Sequence, residues 1–410
     1  MTKPVSQYFD LLLNLSEDWK VLDIETNFNT KEIIIKVKHI GKECECPESF
    51  ELCKKYDHAP ERKWRHLDVM DYRACIVCRL PRIVNNQGKV KTVCPPWGSK
   101  HSRHTFKFEH KVIDLLKATK NQTKTASFIG CGFRVVNSII HNSTERGLKR
   151  RNLKELPFRH LSIDEKSFKS GHHYVSVLSS PSGASVIEVE QGRSKESVKK
   201  LLDKSLTKEQ QENLRTISMD MWKSYIAVSK ELLPNASIVH DRFHLVKYLN
   251  KAMDQVRRRE VKTNEQLKKS RYALLKNPEN LTEKQRVKFE AIRSSNYQVA
   301  KVWQIRENFK DLFNTETDYM AGFYLFAKWS RNSLSDQIKE VNKVIETFKN
   351  HLSGVINALV DTHSNAMAER LNGKIQEIKT VGRGYRTFKN FRSAILFFHG
   401  GLDLYPLISQ

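Results

Sequence analysis

"HLSIDEKSFKSGHHYVSVL" (residues 160–178) holds two short apolar runs separated by a Lys-rich break that contains Gly171. Runs of this length, rich in β-branched residues and parted by a turn signal, read as two strands. Asp164 stands at the end of the first run. Downstream, "ASVIEVEQG" reads as a third strand and "SKESVKKLLDKSL" as a helix. "LRTISMD" follows as a fourth strand, "MWKSYIAVSKELL" as a helix and "ASIVHD" as a fifth strand. Three β units followed by alternating helix and strand specify one mixed sheet, an α/β fold, over residues 158–240.

On the amino-terminal side the pattern changes. A helix-prone lead-in precedes "KEIIIKVKHI", whose β-branched alternation predicts a half-buried strand. Six of the seven cysteines follow before residue 110: Cys44, Cys46, Cys53, Cys75, Cys78 and Cys94. Tetrahedral zinc needs four converging soft ligands, usually two close pairs on tight turns. Cys75 and Cys78 do form a C-x-x-C, but within the apolar "RACIVCRL", which reads equally as a strand with small buried thiols. An odd number of crowded cysteines does not make a disulfide framework, so reduced thiols and a metal site are the two readings.

Between residues 110 and 150, three apolar-periodic segments are parted by short breaks, the second break being "GCG". Two short helices joined by a Gly-bearing turn predict a helix-turn-helix, with Arg134 opening the last helix as a DNA contact. Residues 100–159 carry fourteen Lys or Arg against four Asp or Glu, a phosphate-seeking environment. Residues 245–360 read as almost wholly helical, and "RRRE" at 257–260 as a solvated helix face.

The 410 residues carry a formal net charge of +25, which points to a polyanionic partner. No stretch reaches the roughly 20 apolar residues of a membrane helix, and the opening residues lack a signal pattern. The expectation is therefore a cytoplasmic, nucleoid-associated protein without membrane contact.

Two further acids join Asp164, one at a strand end as it is and one on a helix. Asp220 closes "TISMD" where a strand gives way to a helix, and Glu369 lies about one turn inside the helix of "THSNAMAERLNGKIQ". Singly, each reads as a strand-end cap or a helix-surface acid. Three converging carboxylates, however, repel one another unless a hard divalent cation joins them, and magnesium is such a cation. Two magnesium or manganese ions so held could activate a water or a 3′-hydroxyl against a phosphodiester.

At this point the chain resembles a known family. "WRHLDVMDYRACIVCRLPR", "SIDEKSF", "SMDMWKSY", "VHDRFHLVK" and "SNAMAERLNGKIQEIKTVGRGYRTFKNFRSAILF" occur in the order seen in the ISL-three insertion-sequence transposases. The likeness runs from about residue 40 to the end. It implies a ribonuclease-H-like core of the Asp-Asp-Glu type, with Asp164, Asp220 and Glu369 as the acids and a helical insertion between the second and third. Asp241 and His244 in "HDRFH" resemble a supporting Asp-x-x-His element. Lys379, Arg383 and Arg386 resemble DNA-backbone contacts. The finger departs from the family: Ser49 and Asn85 stand where ligands are expected, leaving Cys46, with Cys53 and Cys94, as the zinc candidates.

The resulting expectation has five segments. A finger-like DNA-binding domain spans 1–108 and a helix-turn-helix 109–155; the catalytic core covers 156–246 and 361–410, split by a helical insertion over 247–360. The implied activity is binding of terminal inverted repeats in double-stranded DNA, metal-dependent cleavage and strand transfer, by a homo-oligomer that pairs two ends. The alternatives are a catalytically inactive, domesticated DNA-binding derivative, and a nuclease that cuts without joining.

Overall fold

The alternation of "KEIIIKVKHI" is realised as a strand that buries Ile33, Ile35, Val37 and His39 and turns the intervening residues outward. The computed structural model describes residues 5–169, 171, 173–361 and 365–407, without the side chains of 365–369 and 372. The chain divides into two compact units, residues 1–151 with 402–410, and residues 152–401.

The first unit opens with α1 (Val5–Leu13), followed by β1 (Trp19–Asn27), β2 (Glu32–His39), β3 (Glu43–Glu45) and β4 (Leu52–His58). β5 (Arg62–Arg65), β6 (Arg73–Cys78), β7 (Pro81–Val84) and β8 (Val90–Thr92) complete its strands. They form two four-stranded sheets, ordered β1-β2-β6-β5 and β3-β4-β7-β8. Trp19, Trp64 and Trp97 meet edge to face in their shared core, where Cys44, Cys46, Cys53 and Cys78 pack as well. "RACIVC" is therefore strand β6, with both of its thiols buried.

Three helices close this unit: α2 (Phe106–Thr119), α3 (Gln122–Phe128) and α4 (Phe133–Arg150). Thr105 and Asn121 accept hydrogen bonds from Phe108 N and Lys124 N, capping the first two. Gly130, at φ +62°, makes the turn between α3 and α4. The segment from Leu402 onward, expected within the 361–410 core segment, belongs to this unit instead. Arg146 Nη1 donates to Leu404 O at 2.6 Å, Arg150 Nη1 meets Asp403 Oδ2 at 2.8 Å, and Tyr405 Oη donates to Asp114 Oδ1 at 2.8 Å.

The second unit is built on a five-stranded mixed sheet ordered β11-β10-β9-β12-β13. β9 (His160–Lys169), β10 (His173–Ser180) and β11 (Ser185–Gln191) form an antiparallel meander. α5 (Lys195–Ser205) and α6 (Lys208–Asn213) then lead to β12 (Thr216–Met219), and α7 (Lys223–Leu232) leads to β13 (Ser237–His240). Both of these strands run parallel to their neighbours. Val198, Leu201 and Leu202 of α5 and Tyr225 and Val228 of α7 cover Leu161, Ile163, Leu178 and Ile217.

A helical block follows: α8 (Arg242–Glu260), α9 (Arg271–Leu275), α10 (Glu283–Arg293), α11 (Gln298–Asp311), α12 (Tyr319–Ser335), α13 (Lys339–Asn350) and α14 (Leu352–Val360). It has its own core, in which Phe309 packs on Trp329 and Phe348 with centroids 4.7 and 5.3 Å apart. The chain rejoins the sheet through α15 (Asn365–Val381) and α16 (Phe388–His399). Arg392 of α16 grips the buried Glu188 of β11 with two 2.7 Å bonds.

Candidate active site

The parallel register of β9 and β12 pairs His160 with Thr216, Leu161 with Ile217 and Ser162 with Ser218. Extended by two residues, the same register sets Asp164 abreast of Asp220, and a step of two returns both side chains to one face. Asp164 does not end its strand, as its position in the sequence suggests. The last β9–β12 pair is Ser162 with Ser218; beyond it, β9 continues past Asp164 to Lys169 paired with β10. Next to Asp220, Asp241 N donates to Met219 O at 3.0 Å, bringing the start of α8 to the same sheet edge.

Asp241 caps α8 by accepting from Phe243 N at 2.8 Å, which places His244 in the first turn. His244 spans the two acids, with Nδ1 3.2 Å from Asp220 Oδ2 and Nε2 3.7 Å from Asp164 Oδ1. Burial alone lowers the His244 pKa, but the hydrogen bond and charge of Asp220, with Asp164 and Asp241 beyond, raise it above the ordinary histidine value. Burial pushes the Asp220 carboxyl up, whereas His244, Met221 N–H and Lys247 together bring it below the usual carboxylate range. At Asp241 burial prevails and the pKa is raised.

Asp164 has a different environment. Its Oδ1 accepts from Glu165 N at 2.7 Å. Its Oδ2 is buried and lies 2.7 Å from Lys166 Nζ, yet receives no directed hydrogen bond. A buried carboxylate oxygen with spare lone pairs, beside a second carboxylate, matches the hard oxygen donors that a divalent cation takes. Glu369 lies on α15, but its side chain is outside the described residues. Lys379, farther along α15, donates to Ser167 O at 2.6 Å and so ties this helix to β9 beyond Asp164. Arg383 and Arg386 are exposed in the turn before α16.

Lys166, Glu165, Arg193 and Trp222 were not singled out in the sequence. Glu165 pairs with Arg193 at 2.6 Å, and the Arg193 guanidinium lies 4.2 Å from the Trp222 ring centroid. The available signal was adjacency: Glu165 and Lys166 follow Asp164, and Trp222 is two residues from Asp220.

In the first unit, Arg134 is exposed at the second position of α4 and helps line a cleft of about 480 Å³ with His101, Arg103, Ser138 and Asn142. Of the zinc candidates, Cys46 and Cys94 line one cleft together with Cys44. Cys46 and Cys53 pack in the core, whereas Cys94 is exposed, and no group of three or more His, Cys, Asp or Glu suited to a metal occurs among the described residues. The two departures from the finger pattern serve local structure. Ser49 helps hold the Cys46 thiol below its ordinary pKa by hydrogen bonding, and Asn85 Oδ1 accepts from Gln87 N and Lys89 N in the β7–β8 turn. Among the described residues, no helix is long and apolar enough to cross a membrane.

Residues 161–395 match a family described as transposase, of the ISL-three type. The chain is 23% identical over 370 residues to the transposase for insertion sequence element IS1001 of Bordetella parapertussis, covering 88% of this chain and 90% of that protein. It is 25% identical over 358 residues to the transposase for insertion sequence element IS1557 of Mycobacterium tuberculosis, covering 80% and 79% of the two chains.

Proposed function

The chain belongs to the ISL-three family of insertion-sequence transposases, and from that membership we propose that Asp164, Asp220 and Glu369 form its cleavage and strand-transfer site. The observation that carries the assignment is that His244 spans Asp164, on β9, and Asp220, immediately after the neighbouring parallel strand β12. The strand order, three antiparallel and then two parallel, supports a ribonuclease-H-like reading of the core. α15 brings Glu369 into the same unit as the third acid.

Asp164 and Asp220 are the residues that would hold magnesium or manganese, as two ions with Glu369 completing the donor set. Such ions supply the positive charge that polarises a phosphodiester and lowers the pKa of an attacking water or 3′-hydroxyl. The chain's own groups do the rest. His244 orients the Asp220 carboxylate and keeps it ionised, and Lys166 offsets the charge of Asp164. Asp241 fixes the first turn of α8, and with it the position of His244.

DNA is the substrate, and its phosphates account for the basic surface. α2, α3 and α4 present Arg134, with Arg103 in the adjoining cleft, to the element end, while Arg383 and Arg386 meet the backbone elsewhere. Pairing of two ends requires at least two chains.

The test is cleavage of a labelled duplex bearing the element's inverted repeat, with and without magnesium, at matched DNA binding. Asp164→Ala, Asp220→Ala and Glu369→Ala should each lower the rate on the order of a thousandfold or more, as expected for losing several kcal/mol of charge stabilisation. Tight binding by the unaltered chain without any cutting or joining would overturn the assignment.

A further inference from the structure

Five of the six tryptophans are buried, and the exception, Trp222, is 39% exposed two residues after Asp220. An exposed indole loses the burial that normally stabilises a tryptophan. This one is nevertheless held still. Its Nε1 donates to Arg193 O at 3.2 Å, and the Arg193 guanidinium covers one ring face at 4.2 Å from the centroid. The guanidinium also lies 4.1 Å from the Tyr174 ring centroid and is ion-paired with Glu165 at 2.6 Å.

The loop carrying Arg193 is fixed in turn. Gly192, at φ +91°, donates its N–H to Tyr174 O at 2.9 Å and accepts from Ser176 Oγ at 2.8 Å. Ser176 Oγ lies 2.9 Å from the buried Tyr225 Oη. The loops that follow β11 and β12 thus hold a cation-backed aromatic ring close in sequence to Asp220. Trp222 is 39% exposed, and with Arg193 over one face of the ring a planar partner would take the other.

We propose that this face of Trp222 stacks on a nucleobase beside the scissile phosphodiester, taken out of the duplex stack, and so positions the strand for cutting. The inference rests on the reading of Asp164 and Asp220 as the cleavage site. Two residues of chain span at most about 7 Å, roughly two base-pair rises along a strand. A phosphate at the acids therefore brings one of its flanking bases within reach of the indole. Every base has a π-face, and stacking on a pre-set aromatic ring tolerates any sequence. A guanidinium on the far face draws electron density from the indole and favours a purine on the near one.

The test uses the full chain and an inverted-repeat duplex carrying 2-aminopurine at one position at a time on either side of the scissile bond. Calcium replaces magnesium so that binding proceeds without cleavage. At one position, emission should be quenched on the unaltered protein, rise severalfold with Trp222→Ala, and stay quenched with Trp222→Phe, binding being matched by anisotropy. In magnesium, Trp222→Ala should cut roughly tenfold or more slowly, and an abasic nucleotide at the same position should remove most of the difference between variant and unaltered chain. Emission indifferent to Trp222 at every position, or a Trp222→Ala defect undiminished by the abasic site, would overturn the stacking role. If the unaltered chain fails to cut in magnesium, the cleavage site itself is misassigned, while the calcium fluorescence still decides whether the indole meets a base.

Discussion

At the scale of single residues, the site is a balance of charges in a small buried volume. Asp164, Asp220 and Asp241 face the Lys166 ammonium and the His244 ring, whose pKa Asp220 and the other acids raise against the effect of burial. The Lys166 ammonium is 2.7 Å from the Asp164 oxygen that has no directed hydrogen bond, so it competes with any cation that Asp164 would hold. Lys166→Gln should therefore tighten manganese binding severalfold in calorimetry of the full chain. An unchanged or weaker affinity would show that Lys166 and the ion do not share Asp164. The two aspartates were legible in the sequence because each follows an apolar run, a local signal. Their partner His244 was legible only through the resemblance, since nothing local says that the first turn of α8 crosses to both acids. Lys166, Arg193 and Trp222 carried no periodic signal of their own, and their roles arise from contacts across strands.

At the scale of elements, strands with clear alternation were readable and their pairing was not. β2, β9, β10, β11, β12 and β13 all lie where the apolar runs predict them. That β9 lies between β10 and β12, parallel to the second, depends on contacts remote in sequence. The closing segment after Gly401 has no periodicity, and its place against α2 and α4 follows from single contacts. Gly147 of α4 is one of these, because a Cβ there would stand 2.7 Å from Leu402 Cβ. Gly147→Val should displace the segment and raise hydrogen exchange in α4, with unchanged exchange counting against the contact. The Glu188–Arg392 pair fixes α16 to β11 in the same way. Burial pushes the Glu188 carboxyl up, but Arg392 and Lys204 bring it below its ordinary value. A depressed carboxylate stabilises the fold above its unfolded pKa, near 4.3, and loses that contribution as pH falls through the lower folded value. Glu188→Gln leaves Arg392 largely buried without its counter-charge and should cost about 3 kcal/mol at neutral pH. Denaturant melts should also show a weaker acid-limb loss than in the unaltered chain, and an equal loss would assign the acid sensitivity elsewhere.

At the scale of the whole molecule, the net charge of +25 is divided between both units, each of which has more Lys and Arg than Asp and Glu. A basic surplus confined to one unit would suggest a single DNA-reading module attached to a neutral enzyme. A surplus in both predicts that the second unit, as well as the first, would contact the duplex. The consequence is measurable without knowing the element's end, because phosphate contacts are indifferent to sequence. Binding of the full chain to an unrelated duplex should fall steeply with salt. With six or more phosphates engaged, about a thousandfold or more of affinity is lost between 50 and 200 mM. Arg383 and Arg386, exposed in the turn before α16, belong to the second unit. Replacing both with alanine should lower the slope of log affinity against log salt by about two, uniformly across sequences. Arg134→Ala, at the start of α4, should instead weaken the inverted repeat more than the unrelated duplex if it meets a base edge. A slope unchanged by the double variant would confine phosphate binding to the rest of the surface and leave the turn before α16 without a DNA role.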